Sequence, residues 1–402
     1  MLTQEADPDK QDCVRIQPIL LIRDGDNMIN KQRMLAEFLE LIKIRCSTKA
    51  ERQVGDLLKQ RLEQLGLTVF EDEVGEKIGG NCGNIIAYLT GEVPTAPVIM
   101  LSAHMDCVEP CGGIEPIMQD GIIKSAGNTI LGSDDKAGVA AILEGIRTIL
   151  EQKLPHGDIQ VVFTVSEEGG LDGSKNIQRD HLKADFGYAL DSGGAPGHII
   201  TKAPGQNSIE VVIHGKTAHA GVAPEEGLNA IVVAGKALAE LKQGRIDEET
   251  TANVGIIAGG HATNIVPDRV ELKCEARSRN VEKLAAQTEH MRETFEQTAG
   301  SCGARAEVHI HHAYDPFVLA DNSPVVALAA AAARSIDLPV ALQATGGGSD
   351  ANFFNSYGVP TAVLGVGMTK VHTVEESITE EDLYNAAELV AAIIASAAKP
   401  LN

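Results

Sequence analysis

The chain has 402 residues, more than one ordinary domain needs and comfortable for two, and 44 % of them are apolar, enough for a large core. Acidic residues outnumber basic ones 56 to 34, for a net charge of −22, which argues against nucleic acid or an anionic membrane surface as partner, since both are bound through basic patches. No run approaches the roughly 20 apolar residues of a membrane helix, the 3 % of aromatic residues include no tryptophan and build no base-stacking platform, and seven scattered cysteines suit free thiols in a reducing cytoplasm better than a disulfide framework.

In chain order, residues 1–27 are polar, acidic and aperiodic, and read as a loose extension. Within them RIQPILLIR (15–23) is short, carries a proline and follows an acidic stretch, so it is a poor secretory signal. From Met28 the elements become regular. Helices at about 29–43 and 50–65 precede strands at about 67–74 and 83–89. The apolar strand APVIMLSAH (96–104) follows, then a helix over about 135–150 with Val139, Ile142, Leu143, Ile146, Ile149 and Leu150 on one face. Strands DIQVVFTV (158–165) and FGYALD (186–191) come next. Near-continuous apolar strands alternating with helices predict an α/β fold, a mixed and largely parallel sheet with helices on both faces.

After Asp191 the texture changes. Strand 208–214, helix 225–243, strands 251–258 and 269–278, helix 281–299 and strand 304–312 follow the βαββαβ order of a ferredoxin-like unit. The end of the chain returns to the first texture, with a helix at 322–336, the loop TGGGSD (345–350), a short helix at 350–356, the strand TAVLGVG (361–367) and a closing helix at 379–398. The predicted organisation is an α/β domain in two parts, 28–205 and 317–402, interrupted by an inserted α+β lid at 206–316.

The chemistry-bearing residues collect where an open α/β sheet builds its sites, at the carboxyl ends of strands. Strand 96–104 ends in His104-Met105-Asp106. Asp134 and Asp135 precede the next helix. Strand 158–165 runs into Glu167-Glu168, and strand 186–191 ends in Asp191. His372 lies in the loop after 361–367. Singly each has an ordinary reading: a satisfied strand-end histidine, a solvated acidic pair, a helix N-cap. Together they are a donor set of the kind Zn²⁺ or Co²⁺ accepts. So many converging carboxylates require cations to neutralise them, and two divalent ions sharing one carboxylate would do so.

The motifs HMD (104–106), GSDDKAG (132–138), SEEGG (166–170), ALDSGG (189–194), GKTAHAG (215–221) and KVHTVEE (370–376) resemble those of the co-catalytic zinc peptidases and deacylases, a family that includes peptidase T, glutamate carboxypeptidases and aminoacylases. The likeness covers residues 28–402, and LGSDDKAG looks most like the peptidase T branch. It implies that His104 and Asp191 bind one metal ion, that Glu168 and His372 bind the other, and that Asp134 bridges them, as a zinc pair, with Co²⁺ or Mn²⁺ also accepted. It further implies a cis Asp134–Asp135 bond, Asp106 orienting His104, and Glu167 as general base. His219, in the lid, would stabilise the oxyanion and, as in dimeric relatives, reach across a homodimer. Asn264, Arg277 and Gly347 are candidate substrate contacts: an arginine clamps a carboxylate, and a glycine loop lets a peptide backbone approach. The ordinary readings of His219, Arg277 and the glycine loop are an exposed turn histidine, a surface ion pair on a strand and a simple turn.

Two further motifs carry little. CVEPCGG (107–113) has no second cysteine pair to complete a metal site, and HIHH (309–312) places His309 and His311 on one face of a surface strand. The expected function is cytoplasmic hydrolysis of short peptides from the N-terminus, as by a tripeptide aminopeptidase. The alternative is an amidohydrolase of N-acyl or N-carbamoyl amino acids on the same metal core. Glutamyl aminopeptidases are disfavoured, because they place their insertion between the first histidine and the bridging aspartate. A non-catalytic scaffold would show a broken ligand set, and here every ligand is present.

Overall fold

The structure is a computed structural model that describes residues 28–399; the extension expected at 1–27 lies outside them. The main sheet follows the order Thr68–Glu71, Ile85–Leu89, Ile159–Thr164, Ile99–His104, Phe186–Ser192, Thr361–Gly365, His198–Ala203, Phe317–Val318, with Ala341–Ala344 also paired to His198–Ala203. Ile99–His104 pairs in parallel with both Ile159–Thr164 and Phe186–Ser192, and Phe186–Ser192 pairs in parallel with Thr361–Gly365. The flanking pairs at the Thr68 edge are antiparallel. Strands Ile99–His104 and Ile159–Thr164 are buried along their whole length, which explains their unbroken apolar sequences. Alternate residues serve opposite faces. Leu101, Ala103, Val161 and Phe163 join the large core beneath the helices Ser133–Glu151 and Glu380–Ala397. Met100 and Val162 meet Phe354 and Val359 on the other side.

The helix Glu380–Ala397 starts where Thr379 accepts the amide of Asp382, and three acidic residues in its first turn complement its dipole. The Gly205–Tyr314 stretch forms a separate antiparallel sheet ordered Thr250–Gly259, Arg269–Ser278, Gly205–His214, Arg305–Tyr314, with Gly244–Arg245 on its edge. That is the ferredoxin-like order, with the first and third strands central. The helices Ala230–Glu240 and Val281–Ser301 pack on it around Phe295 and Met291. The first of them begins later than the pattern suggested, because Asn229 caps it by accepting from the amides of Ile231 and Val232.

A three-stranded sheet of Pro116–Gln119, Ile122–Ser125 and Ser377–Thr379 has no counterpart among the predicted elements. Its signal was present: Asp120-Gly121 between apolar runs is a hairpin dipeptide, and both residues take positive φ, 52° and 75°.

Candidate active site

The site forms where the central strands end. His104 is the last residue of Ile99–His104 and is 2 % exposed. Its backbone N–H donates to Asp135 Oδ2 at 3.2 Å, which fixes the strand end against the start of the next helix. Its ring points outward: Nδ1 lies 3.1 Å from the Asp106 carbonyl and 3.4 Å from its Oδ1, and Nε2 lies 3.0 Å from Asp134 Oδ1 and 3.8 Å from Asp191 Oδ1. His372 comes from the far end of the chain. Its Nε2 lies 3.3 Å from Asp134 Oδ2 and 2.7 Å from Glu168 Oε1. The two oxygens of Asp134 therefore face two different histidines. The Asp134–Asp135 peptide is cis, as the resemblance implied.

Three donor groups fall within 4.8 Å: His104, Asp134 and Asp191; Asp134, Glu168 and His372; and His104, Glu167 and Glu168. All five expected ligands and Glu167 are thus brought together.

The Glu167-Glu168 turn is built from several directions. Ser166, just before it, has φ of 52°. A Cβ at Gly169 would come within 2.4 Å of Ser166 Oγ, and Gly170 has φ of 114°, so both glycines are required by the path of the chain. Buried Asp106 accepts the amides of Glu167 at 3.0 Å and Glu168 at 3.2 Å, together with the Thr48 hydroxyl at 2.8 Å. It holds the acidic turn as well as His104. Glu51, fully buried, accepts the amides of Lys49 and Ser166. Asp350 accepts hydroxyls from Thr164 and Ser174.

Electrostatics show what the cluster lacks. Burial opposes charge on His104, but Asp106 and Asp134, with Asp191 and Glu167 nearby, more than offset it and raise its pKa well above the usual imidazole value. His372 is raised to about 10 by Asp134 and Glu168. Burial would raise Asp134, yet its bonds to the two histidines outweigh burial and depress it. Glu167 is pushed well above the carboxylate range by burial, against His104 and with Asp350, Glu168 and Asp106 adding to the shift. Asp191 is pushed up by burial, then by Glu167 and Asp134. Four carboxylates share two imidazoles, so protons are held where cations would serve. The donor set fits a pair of divalent ions.

A cavity of about 320 Å³ opens over the cluster, and besides the cluster residues Ser192, Arg277, Thr345, Gly347 and Gly348 line it. Arg277 reaches it from the antiparallel sheet and pairs bidentately with Glu275, Nε and Nη2 each 3.0 Å from a carboxylate oxygen. In the glycine loop, the conformational demand falls on Gly348, where a Cβ would sit 2.4 Å from the Tyr314 ring. A Cβ at Gly347 would meet only Thr345 Oγ1, at 3.9 Å. His219 and Asn264 lie side by side in the antiparallel-sheet unit, where Ala220 N donates to Asn264 O and His219 bridges to Ile265. Neither is among the residues lining the cavity. Cys107 and Cys111 are buried free thiols, and His309 and His311 stand exposed on the strand Arg305–Tyr314.

Sequence reasoning did not single out Glu51, Asp350 or Glu376 as part of this machinery. Glu51 and Asp350 are isolated acids, and Glu376 looks in sequence like its neighbour Glu375; only burial distinguishes them.

Residues 100–396 match the model of peptidase family M20/M25/M40. The chain is 46 % identical over 372 residues to the uncharacterised protein YqjE of Bacillus subtilis (strain 168), covering 92 % of this chain and 100 % of that one. Among crystal structures, it is similar to the aminopeptidase PepT from Bacillus cereus ATCC 10987, with a TM-score of 0.87 and 46 % identity over 93 % of this chain and 100 % of that one. It is likewise similar to a tripeptidase from Staphylococcus aureus subsp. aureus Mu50, with a TM-score of 0.90 and 43 % identity over 92 % and 100 %.

Proposed function

This chain belongs to peptidase family M20/M25/M40 and is a peptide-bond hydrolase, and from that premise we propose that it is a metal-dependent exopeptidase removing the N-terminal residue of short peptides, tripeptides foremost. The observation that carries the reading is Asp134, whose Oδ1 faces His104 and Oδ2 faces His372. In this reading His104 and Asp191 hold one divalent ion, Glu168 and His372 the other, and Asp134 joins them. Zinc is our assignment, with Co²⁺ or Mn²⁺ also suited to these donors. Two such ions supply Lewis acidity to the scissile carbonyl and lower the pKa of water towards about 7. Glu167 takes the proton of the attacking water and returns it to the leaving amine. Asp106 keeps His104 and the acidic turn in place. Arg277, lining the cavity from the lid, recognises the substrate carboxylate on leaving Glu275, and Gly347 gives the peptide backbone room.

We assign residues 28–205 and 317–402 to catalysis and 206–316 to a lid that also forms a homodimer, bringing His219 and Asn264 to the partner's substrate. Exposed Val222, Ile231, Val232 and Ile265 around that loop support the assignment. A cytoplasmic setting accords with six free cysteines among the described residues. No helix among those residues is long and apolar enough to cross a membrane.

The test is Glu167→Ala and Glu167→Gln, assayed on tripeptides beside N-acyl and N-carbamoyl amino acids. Tripeptide turnover should fall by roughly 10²–10⁴-fold while two ions per chain remain bound. Full turnover in either variant, or unimpaired cleavage after exhaustive chelation, would overturn the mechanism. Preference for the acyl or carbamoyl substrates would overturn the substrate class.

A further inference from the structure

The motif KVHTVEE ends in two glutamates of opposite fate. Glu375 is exposed and pairs with Lys370. Glu376 is fully buried. Its acceptors are filled by four donors from one short stretch of distant chain. Oε2 accepts the amides of Leu131 at 2.9 Å and Gly132 at 3.0 Å. Oε1 accepts the Ser133 hydroxyl at 2.6 Å and the Asp134 amide at 3.0 Å. Backbone amides converging on one anion form a strong, directional grip.

Both ends of this grip carry ligands of the cluster. Asp134 is the residue whose two oxygens face the two histidines, and its own amide is one of the four donors. At the other end Glu376 lies four residues after His372, in a loop closed by reciprocal backbone bonds between Thr369 and Ser377 and by the Glu376 amide on Thr373 O. His372 itself is half exposed and takes φ of 63°, so its own surroundings hold it weakly. Segments 242 residues apart are joined at this carboxylate.

We propose that Glu376 is a positioning residue of the dinuclear site. It docks the His372 loop onto the Asp134 turn, and so sets the affinity for the ion shared by Asp134, Glu168 and His372. The proposal rests on the metallopeptidase reading above. Loss of the grip leaves His104 and Asp191 in place, because strand ends carry them, and leaves Asp134 Oδ1 against His104 Nε2 at 3.0 Å.

The experiment is calorimetric titration of the metal-free full chain with Co²⁺, following the visible absorption of the bound ion. Wild type should bind two ions. Glu376→Gln places an amide where the amide donors point, and should weaken the second ion by about 10–100-fold while leaving the first within a few-fold. Its kcat at low Co²⁺ should fall in parallel and recover in excess Co²⁺, with KM unchanged. Ser133→Ala removes one of the four bonds; it should show the same pattern more weakly and covers the case in which Glu376→Gln does not fold. Glu375→Gln should match wild type. Two unchanged binding steps in Glu376→Gln or, if that variant does not fold, in Ser133→Ala would overturn the proposal and leave Glu376 a folding residue only. A wild-type chain that binds fewer than two ions would overturn the metallopeptidase reading and this inference with it.

Discussion

The two histidines of the site are held in contrasting ways. His104 ends a buried central strand, with its amide on Asp135 and its ring between Asp106 and Asp134. His372 sits in a loop, its side chain 50 % exposed, on a left-handed backbone. One position is dictated by the sheet and survives any local change short of unfolding. The other is dictated by a docking contact and can be loosened alone. A dinuclear site built this way should show one robust half and one adjustable half.

Alanine substitution of the two histidines is the sharpest test of that asymmetry and should give the largest effects. His104→Ala leaves buried Asp106 and Asp134 and partly buried Asp191 without the imidazole they share. The metal-free protein should lose on the order of 3–5 kcal/mol, as for a broken buried pair. Uptake of both ions should suffer, since in the proposed site Asp134 serves both. His372→Ala removes a half-exposed ring, so the metal-free protein should lose no more than about 1 kcal/mol. One ion should weaken beyond the ~10–100-fold that loss of a supporting group costs. Thermal unfolding of the metal-free variants, with metal titration alongside, measures both. Equal destabilisation by the two substitutions would break the comparison.

Asp106 belongs to the robust half but reaches across to the Glu167-Glu168 turn. Asp106→Ala deprives two partly buried amides and the Thr48 hydroxyl of their acceptor. Turnover should fall by about 10–100-fold. Asp106→Asn, which keeps one oxygen, should recover part of it. Steady-state kinetics at saturating metal reads this out, and a loss confined to KM would show that Asp106 acts on substrate rather than on the turn.

The robust half was also the legible half. His104 and Asp191 follow unbroken apolar strands, so strand geometry told where their side chains must emerge. Glu167 and Glu168 could be placed for the same reason. His372 was found by motif resemblance, not by periodicity, because a left-handed loop residue leaves no periodic trace. Glu375 and Glu376 look alike in sequence. Which of them is buried depends on a turn more than two hundred residues away. The same holds for Glu51, which follows no apolar pattern and is recognised only once Ser166 is seen to rest on it. In the antiparallel-sheet unit, local pattern gave the strand order correctly. It could not give the distance of His219 and Asn264 from the cavity, which depends on how two separately built sheets are set against each other.

Glu51 offers the finest probe of how the robust half is held. Burial, then the nearby Asp106 charge, raise its pKa to about 7, against the two amides that favour its charged form. A carboxyl whose folded pKa lies above its unfolded value binds its proton more tightly in the native state. Its contribution to stability is therefore fullest below about pH 4.5, declines as pH rises towards 7, and levels off above that. Glu51→Gln keeps an oxygen for the amides of Lys49 and Ser166 and removes the titration. Relative to wild type the variant should gain on the order of 1–3 kcal/mol between pH 5 and pH 8, read by chemical denaturation of the metal-free chains at the two pH values. A difference independent of pH would mean that Glu51 is ionised throughout, held by its two amides strongly enough to outweigh both burial and Asp106.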